Sequence, residues 1–82
     1  MNMTVARALI DLLLSLELSD EESVSLEAAT AFVEDASATL SALSRLEREE
    51  LTSIIRQMEN EATMEERREV LRSLPEDIGL LD

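Results

Sequence analysis

Two pairs of glutamates, Glu47 with Glu50 and Glu66 with Glu69, are each spaced as E-x-x-E, and on an α-helix that spacing sets both carboxylates on one face. Carboxylate oxygens placed in this way could hold a hard divalent cation such as magnesium, the one catalytic route this composition leaves open. Every other route lacks its reagent. The 82 residues contain no His, Cys, Lys, Tyr or Trp, so imidazole bases, thiolate nucleophiles, Schiff-base amines and nitrogen or sulfur ligands for transition metals are all missing. Nine serines and five threonines remain; without a basic partner to activate them, they read as helix caps and solvated positions.

The doubled E-x-x-E pattern looks like the magnesium site of the all-α nucleotide pyrophosphohydrolases, which set E-x-x-E and E-x-x-D on facing helices. The likeness covers these four residues. Basic residues that would hold a nucleotide's phosphates have no counterpart, and Arg48, Arg67 and Arg68 stand close enough in sequence to neutralise the carboxylates themselves. The preferred reading is a solvated face carrying ion pairs such as Glu65 to Arg68 and Glu69 to Arg72, each worth about 0.2–0.5 kcal/mol. Ser25-Leu26-Glu27 is the nearest approach to the Asp-Ser-Leu motif on which the acyl carrier proteins, also acidic four-helix proteins of this size, carry phosphopantetheine. Val24 stands where that motif has its aspartate, and the serine comes earlier in the chain. The chain is therefore expected to be no enzyme and to carry no cofactor and no metal.

Charge is the strongest remaining signal. The net charge is −12, and it is unevenly spread. From Ala8 to Ser44 there are eight carboxylates and no cation, whereas residues 45–82 set six arginines against eleven carboxylates. Asp20, Glu27 and Glu34 recur every seven residues, which on a helix makes one stripe, with Ser23, Thr30, Ser37 and Ser41, opposite the apolar seam of the same segment. Such a surface repels nucleic-acid phosphates and anionic membranes alike. Seven helical residues rise about 10 Å, while a DNA strand presents a charge every ~3.4 Å, so a single stripe is also too sparse to imitate DNA. A protein with a basic surface is the partner the pattern fits, met through Asp20, Glu21, Glu22, Glu27, Glu34 and Asp35. The competing reading is that acidity serves only to keep a small bacterial protein in solution. In size, acidity and helix count the chain is similar to the colicin nuclease immunity proteins, small inhibitors that clamp a basic toxin domain. That resemblance implies an immunity or antitoxin-like inhibitor. The paired tyrosines of that family's binding helix are lacking here. All seven basic residues are Arg, which suggests a G+C-rich coding genome.

The elements that must position these residues follow from apolar spacing. Val5, Leu9, Leu12, Leu13 and Leu16 mark a first helix; Leu26, Ala29, Val33, Ala36, Leu40 and Leu43 a second; Leu51, Ile54, Ile55, Met58 and Ala62 a third; Val70, Leu71 and Leu74 a fourth. Capping boxes are expected at Ser19–Glu22, Ser44–Glu47 and Thr63–Glu66. Pro75 should end the fourth helix, and Gly79, the only glycine, should cap a final turn. The resulting fold class is all-α: one domain, a compact antiparallel bundle of four short helices at 4–17, 20–43, 45–60 and 64–74, closed by a C-terminal turn over 75–82.

The first helix is apolar on nearly every side. It is therefore either the central helix of the bundle or a seam for a partner or second copy through Leu9, Ile10, Leu13 and Leu14, which would make the chain a homo-oligomeric adaptor. Its apolar run from Ala8 to Leu18 is broken by Asp11 and Glu17 and is far shorter than the ~20 residues needed to span a membrane. A cytoplasmic location without a targeting segment is expected.

Overall fold

A computed structural model describes residues 1–20 and 22–81. It is an all-α bundle of four helices: α1 (Met3–Leu18), α2 (Leu26–Leu40), α3 (Arg45–Glu61) and α4 (Glu65–Asp77), with no strand among the described residues. α3 and α4 form the most extensive pair, α1 packs against all three other helices, and α2 leans on α1 from outside. α1 is therefore the central helix of the two arrangements its apolar surface allowed.

The core is supplied by three helices and the tail. Ala6, Ile10, Leu13 and Leu14 from α1 meet Leu51, Ile54, Ile55 and Met58 from α3, Leu71 and Leu74 from α4, and Ile78 and Leu80 beyond it. These positions follow the i, i+3, i+4, i+7 rows that one helix offers another. α2 contributes no fully buried residue. Its expected seam is only half covered at Ala29, Val33, Ala36 and Leu40, and Leu26 at its start is 68 % exposed. The molecule is correspondingly open: it exposes 5474 Å², against about 4,900 Å² for a compact protein of 9.2 kDa.

Caps decide where the helices begin. Ser44 and Glu47 form a reciprocal capping box: Ser44 Oγ accepts the Glu47 N–H at 3.1 Å, and the Glu47 carboxylate accepts the Ser44 N–H at 3.0 Å. The other two expected boxes do not form. Ser19 closes α1 instead, donating its hydroxyl to the Ser15 carbonyl at 2.6 Å. Met64, with no side-chain acceptor, holds the start of α4. The second helix, expected from Asp20 or from Ser25, starts at Leu26, in keeping with the later of the two. Asp20 takes the Ser23 N–H on its side chain at 2.8 Å, and its carbonyl accepts Ser23 and Val24 at 3.2 and 3.0 Å. A short Asp side chain competing for nearby backbone donors favours such a turn over a helix. Ser25 then caps α2, accepting the Ala28 N–H at 3.1 Å.

Pro75 lies inside α4 rather than ending it, and the helix runs on to Asp77. In the last turn a proline forfeits only one backbone bond, and two features offset that loss. The Pro75 ring is fully buried, and the helix closes on Gly79 in a Schellman arrangement, with Leu80 N–H on the Pro75 carbonyl at 2.8 Å and Gly79 N–H on the Glu76 carbonyl at 3.1 Å. Gly79 has φ +76°, and Leu80, next to it, is buried. The tail therefore folds onto the core, with Leu81 left exposed.

The α3 cap gives a stability prediction. Ser44→Ala should cost about 1 kcal/mol, measured by urea unfolding at neutral pH. The Ser44 N–H holds the Glu47 carboxyl below the ordinary glutamate range. A lowered folded-state pKa means that this contribution is present above the unfolded value, about pH 4.3, and is lost as pH falls through the folded one. The stability gap between the wild type and Glu47→Ala should narrow in that window.

Candidate protein-docking site

The expected site residues divide between a turn and a helix face. Asp20 and Glu22 sit in the connection before α2, both exposed; Glu21 lies outside the described residues. The Ser23 backbone N–H, with its side chain adding to it, holds the Asp20 carboxyl below its usual range, so Asp20 is ionised at neutral pH. Glu27, Glu34 and Asp35 are exposed on α2. Glu27 stands in the first turn, where a carboxylate complements the positive end of the helix. Within α2 the stripe keeps Glu27, Thr30 and Glu34, its two carboxylates about 10 Å apart along the axis, and loses Asp20, which precedes the helix. Ser37 leaves the stripe as well: it is half-buried, and its Oγ stands 3.1 Å from where a Cβ on Gly79 would be.

Five of the seven arginines and the N-terminal ammonium pair with acids outside α2. Arg7 forks onto Glu61 with bonds of 3.0 and 3.1 Å, Arg72 and Arg56 share Glu59 at 3.4 and 3.7 Å, and Arg45 meets Glu49 at 3.4 Å. Arg67 reaches 4.0 Å to Asp11, and the N-terminal ammonium holds Glu50 at 3.1 Å. Arg72 thus pairs across helices with Glu59 and not, as expected, with Glu69 three residues back on its own helix. Among the described residues no cation stands within ion-pair distance of Glu27, Glu34 or Asp35. Exposed carboxylates without a neighbouring counterion keep their net charge, whose reach is set by water and by salt.

The other candidates have structural occupations. Glu47 caps α3 and Glu50 takes the N-terminus, and among the described residues no three carboxylates converge as a metal site would require. Ser25 spends its hydroxyl on the α2 cap. The apolar face expected to meet a second copy is also occupied: Ile10, Leu13 and Leu14 are buried in the chain's own core, and Leu9 is half-buried. Ile10, Leu13 and Leu14 are thereby closed to a second copy, while Leu9 stays on the wall of a surface groove.

Sequence reasoning overlooked the apolar side chains that remain outside. Val5 is 65 % exposed and Leu12 60 %, although both stand in the apolar spacing that marks α1. Phe32, the one aromatic, is 52 % exposed on α2. A signal for Phe32 was available: it falls outside the three-four repeat that marks the α2 seam, so a helix placed with that seam inward leaves it on the flank. No family model matches the chain, and no curated protein or solved structure matches it either. Among the described residues no helix is long and apolar enough to cross a membrane.

Proposed function

We propose that the chain is a non-enzymatic, acidic protein-binding module that acts in the cytoplasm and covers a basic surface on its partner, as a bacterial immunity or antitoxin-like inhibitor does. The observation that carries this reading is the asymmetry of charge between helices. Arg45, Arg56 and Arg72 are engaged with Glu49 and Glu59 of α3, while Glu27, Glu34 and Asp35 face solvent from α2, a helix that carries no cation of its own and whose acids meet none in ion-pair distance among the described residues. A field of one sign over one face accelerates encounter with an oppositely charged protein and orients it. Resemblance in size, acidity and helix count to the colicin nuclease immunity proteins points the same way.

The test is charge reversal at two exposed positions that bear no packing. With a basic protein recovered from the native host on the wild-type chain, Glu27→Arg combined with Glu34→Arg should lower the association rate constant about tenfold or more at low salt and flatten its dependence on ionic strength. Dissociation should change less. An unchanged association rate would reject the charged-face reading.

A further inference from the structure

Where α1 ends and α2 begins, the fold leaves a hollow of about 160 Å³. Half-buried Leu16, Val24 and Ala29, with exposed Leu26, make its apolar walls, and Glu17 and Thr30 are its polar ones. Glu17 lies four residues after Leu13 and three after Leu14, so it continues the inward row of α1 one turn beyond the core. A carboxylate thus fills the position where packing alone would favour another leucine. On α2, Glu34 and Glu27 come next round the helix from Thr30, by about 40° and 60°, on the side away from the Val33 seam. Thr30 is therefore the wall, and the two carboxylates form the rim outside it. Asp20 and Glu22 sit in the connection whose Ser19 and Val24 also line the hollow. Among the described residues no cation stands within ion-pair distance of Glu17, Asp20, Glu22, Glu27 or Glu34.

Size and charge together select the occupant. Pockets that take whole small molecules run to about 300–1,000 Å³, so this smaller hollow suits a single side chain. An apolar side chain would cover the Glu17 carboxylate and leave it without a partner, and an acidic one would be repelled. A bare metal ion would meet one carboxylate at the wall, and among the described residues no three converge to hold it. A long side chain with an aliphatic stem and a positive head satisfies the walls and the carboxylate at once. We infer that the hollow is the socket for an arginine or lysine side chain of the basic partner, its stem on Leu16, Val24 and Leu26 and its head at Glu17, inside the rim of Glu27 and Glu34. This inference rests on the proposed function and fixes where the partner's anchor enters. Rim and socket differ in kinetics: charges left exposed at an edge set the association rate, whereas a charge pair enclosed by docking sets the dissociation rate.

The experiment is an NMR titration of the isotope-labelled full chain with blocked single amino acids: arginine, lysine, and citrulline, which keeps the arginine stem but is neutral. Arginine and lysine should shift the amides of Glu17, Val24, Leu26 and Thr30, with a dissociation constant of about 1 mM. Citrulline should not. Glu17→Gln removes the charge inside the hollow, and Thr30→Phe blocks it without changing charge; both positions are exposed, and circular dichroism checks the fold. Each should weaken the cationic probes about tenfold. Shifts spread evenly over all the acidic residues, or citrulline binding as well as arginine, would overturn the socket. With a basic partner recovered from the native host, Thr30→Phe should raise the dissociation rate about tenfold. Dissociation unchanged by Thr30→Phe, with association still slowed by Glu27→Arg and Glu34→Arg, would overturn the socket and leave the charged-face reading standing. The reverse result would reject that reading and keep the socket. Self-association in light scattering that Thr30→Phe abolishes would put a second copy's arginine in the hollow and overturn the foreign partner.

Discussion

Leu14→Ala and Ile55→Ala will each lower the unfolding free energy by about 2–5 kcal/mol, the cost of removing a fully buried aliphatic side chain and leaving a cavity. Both side chains are completely enclosed, one on the central helix and one on the long helix it crosses. A domain of this length has about 4–12 kcal/mol to lose, so either variant alone can consume much of its stability. Val33→Ala, on the half-covered seam of α2, should cost less than about 1.5 kcal/mol, because solvent already reaches the site and little cavity forms. Urea unfolding of the three variants measures the contrast directly. A Val33→Ala variant as damaged as Ile55→Ala would show that α2 is as integral to the core as its neighbours.

The same unequal packing should appear without mutation. Amides of α2 are expected to exchange with solvent through local openings costing several kcal/mol less than those that expose Leu51 to Met58, whose exchange should follow global unfolding. The physical reason is coverage: α3 buries four large side chains and α2 buries none. Hydrogen exchange followed by mass spectrometry or NMR resolves the two classes. Coincident protection across all four helices would contradict a loosely held α2. An element of low local stability can also adjust its backbone on docking at modest cost, which suits a surface that must fit a partner.

How much of this could be read from the chain depended on how many helices compete for one apolar stripe. α3 was fully legible, since Leu51, Ile54, Ile55 and Met58 form a single narrow row on an otherwise charged helix, and all four are buried. α1 was legible as a helix but not in its facing. With Leu or Ile at most positions from Leu9 to Leu16, periodicity cannot say which side wins, and tertiary packing chose Ile10, Leu13 and Leu14 over Leu12. α2 misled in the opposite direction. Its seam has the right spacing, but Ala29 and Ala36 make it shallow, and the core is already filled by α1, α3, α4 and the tail. The start of α2 stayed open between Asp20 and Ser25 because Ser19 followed three residues later by Glu22 looks like a box; in the fold Asp20 bonds locally to Ser23 and Ser25 makes the cap. Pro75 was read as a breaker because its cost was weighed without the buried ring and the Gly79 closure, neither of which a local rule contains. The exposed carboxylates of α2 were legible from spacing, yet their freedom from counterions was not. That freedom depends on where Arg7, Arg56, Arg67 and Arg72 turn in three dimensions.

One property of the composition makes the docking face unusually open to direct test. The chain has no lysine, so zero-length carbodiimide coupling between its carboxylates and lysine amines can only join it to another protein, apart from its own N-terminal amine beside Glu50. Coupling to a basic partner recovered from the native host, followed by identification of the joined peptides, reads out which carboxylates lie at the interface. The account places the cross-links on Glu27, Glu34 and Asp35, with Asp20 at the edge. Cross-links confined to Glu65, Glu66, Glu69 and Glu76 on α4, with α2 untouched, would contradict it.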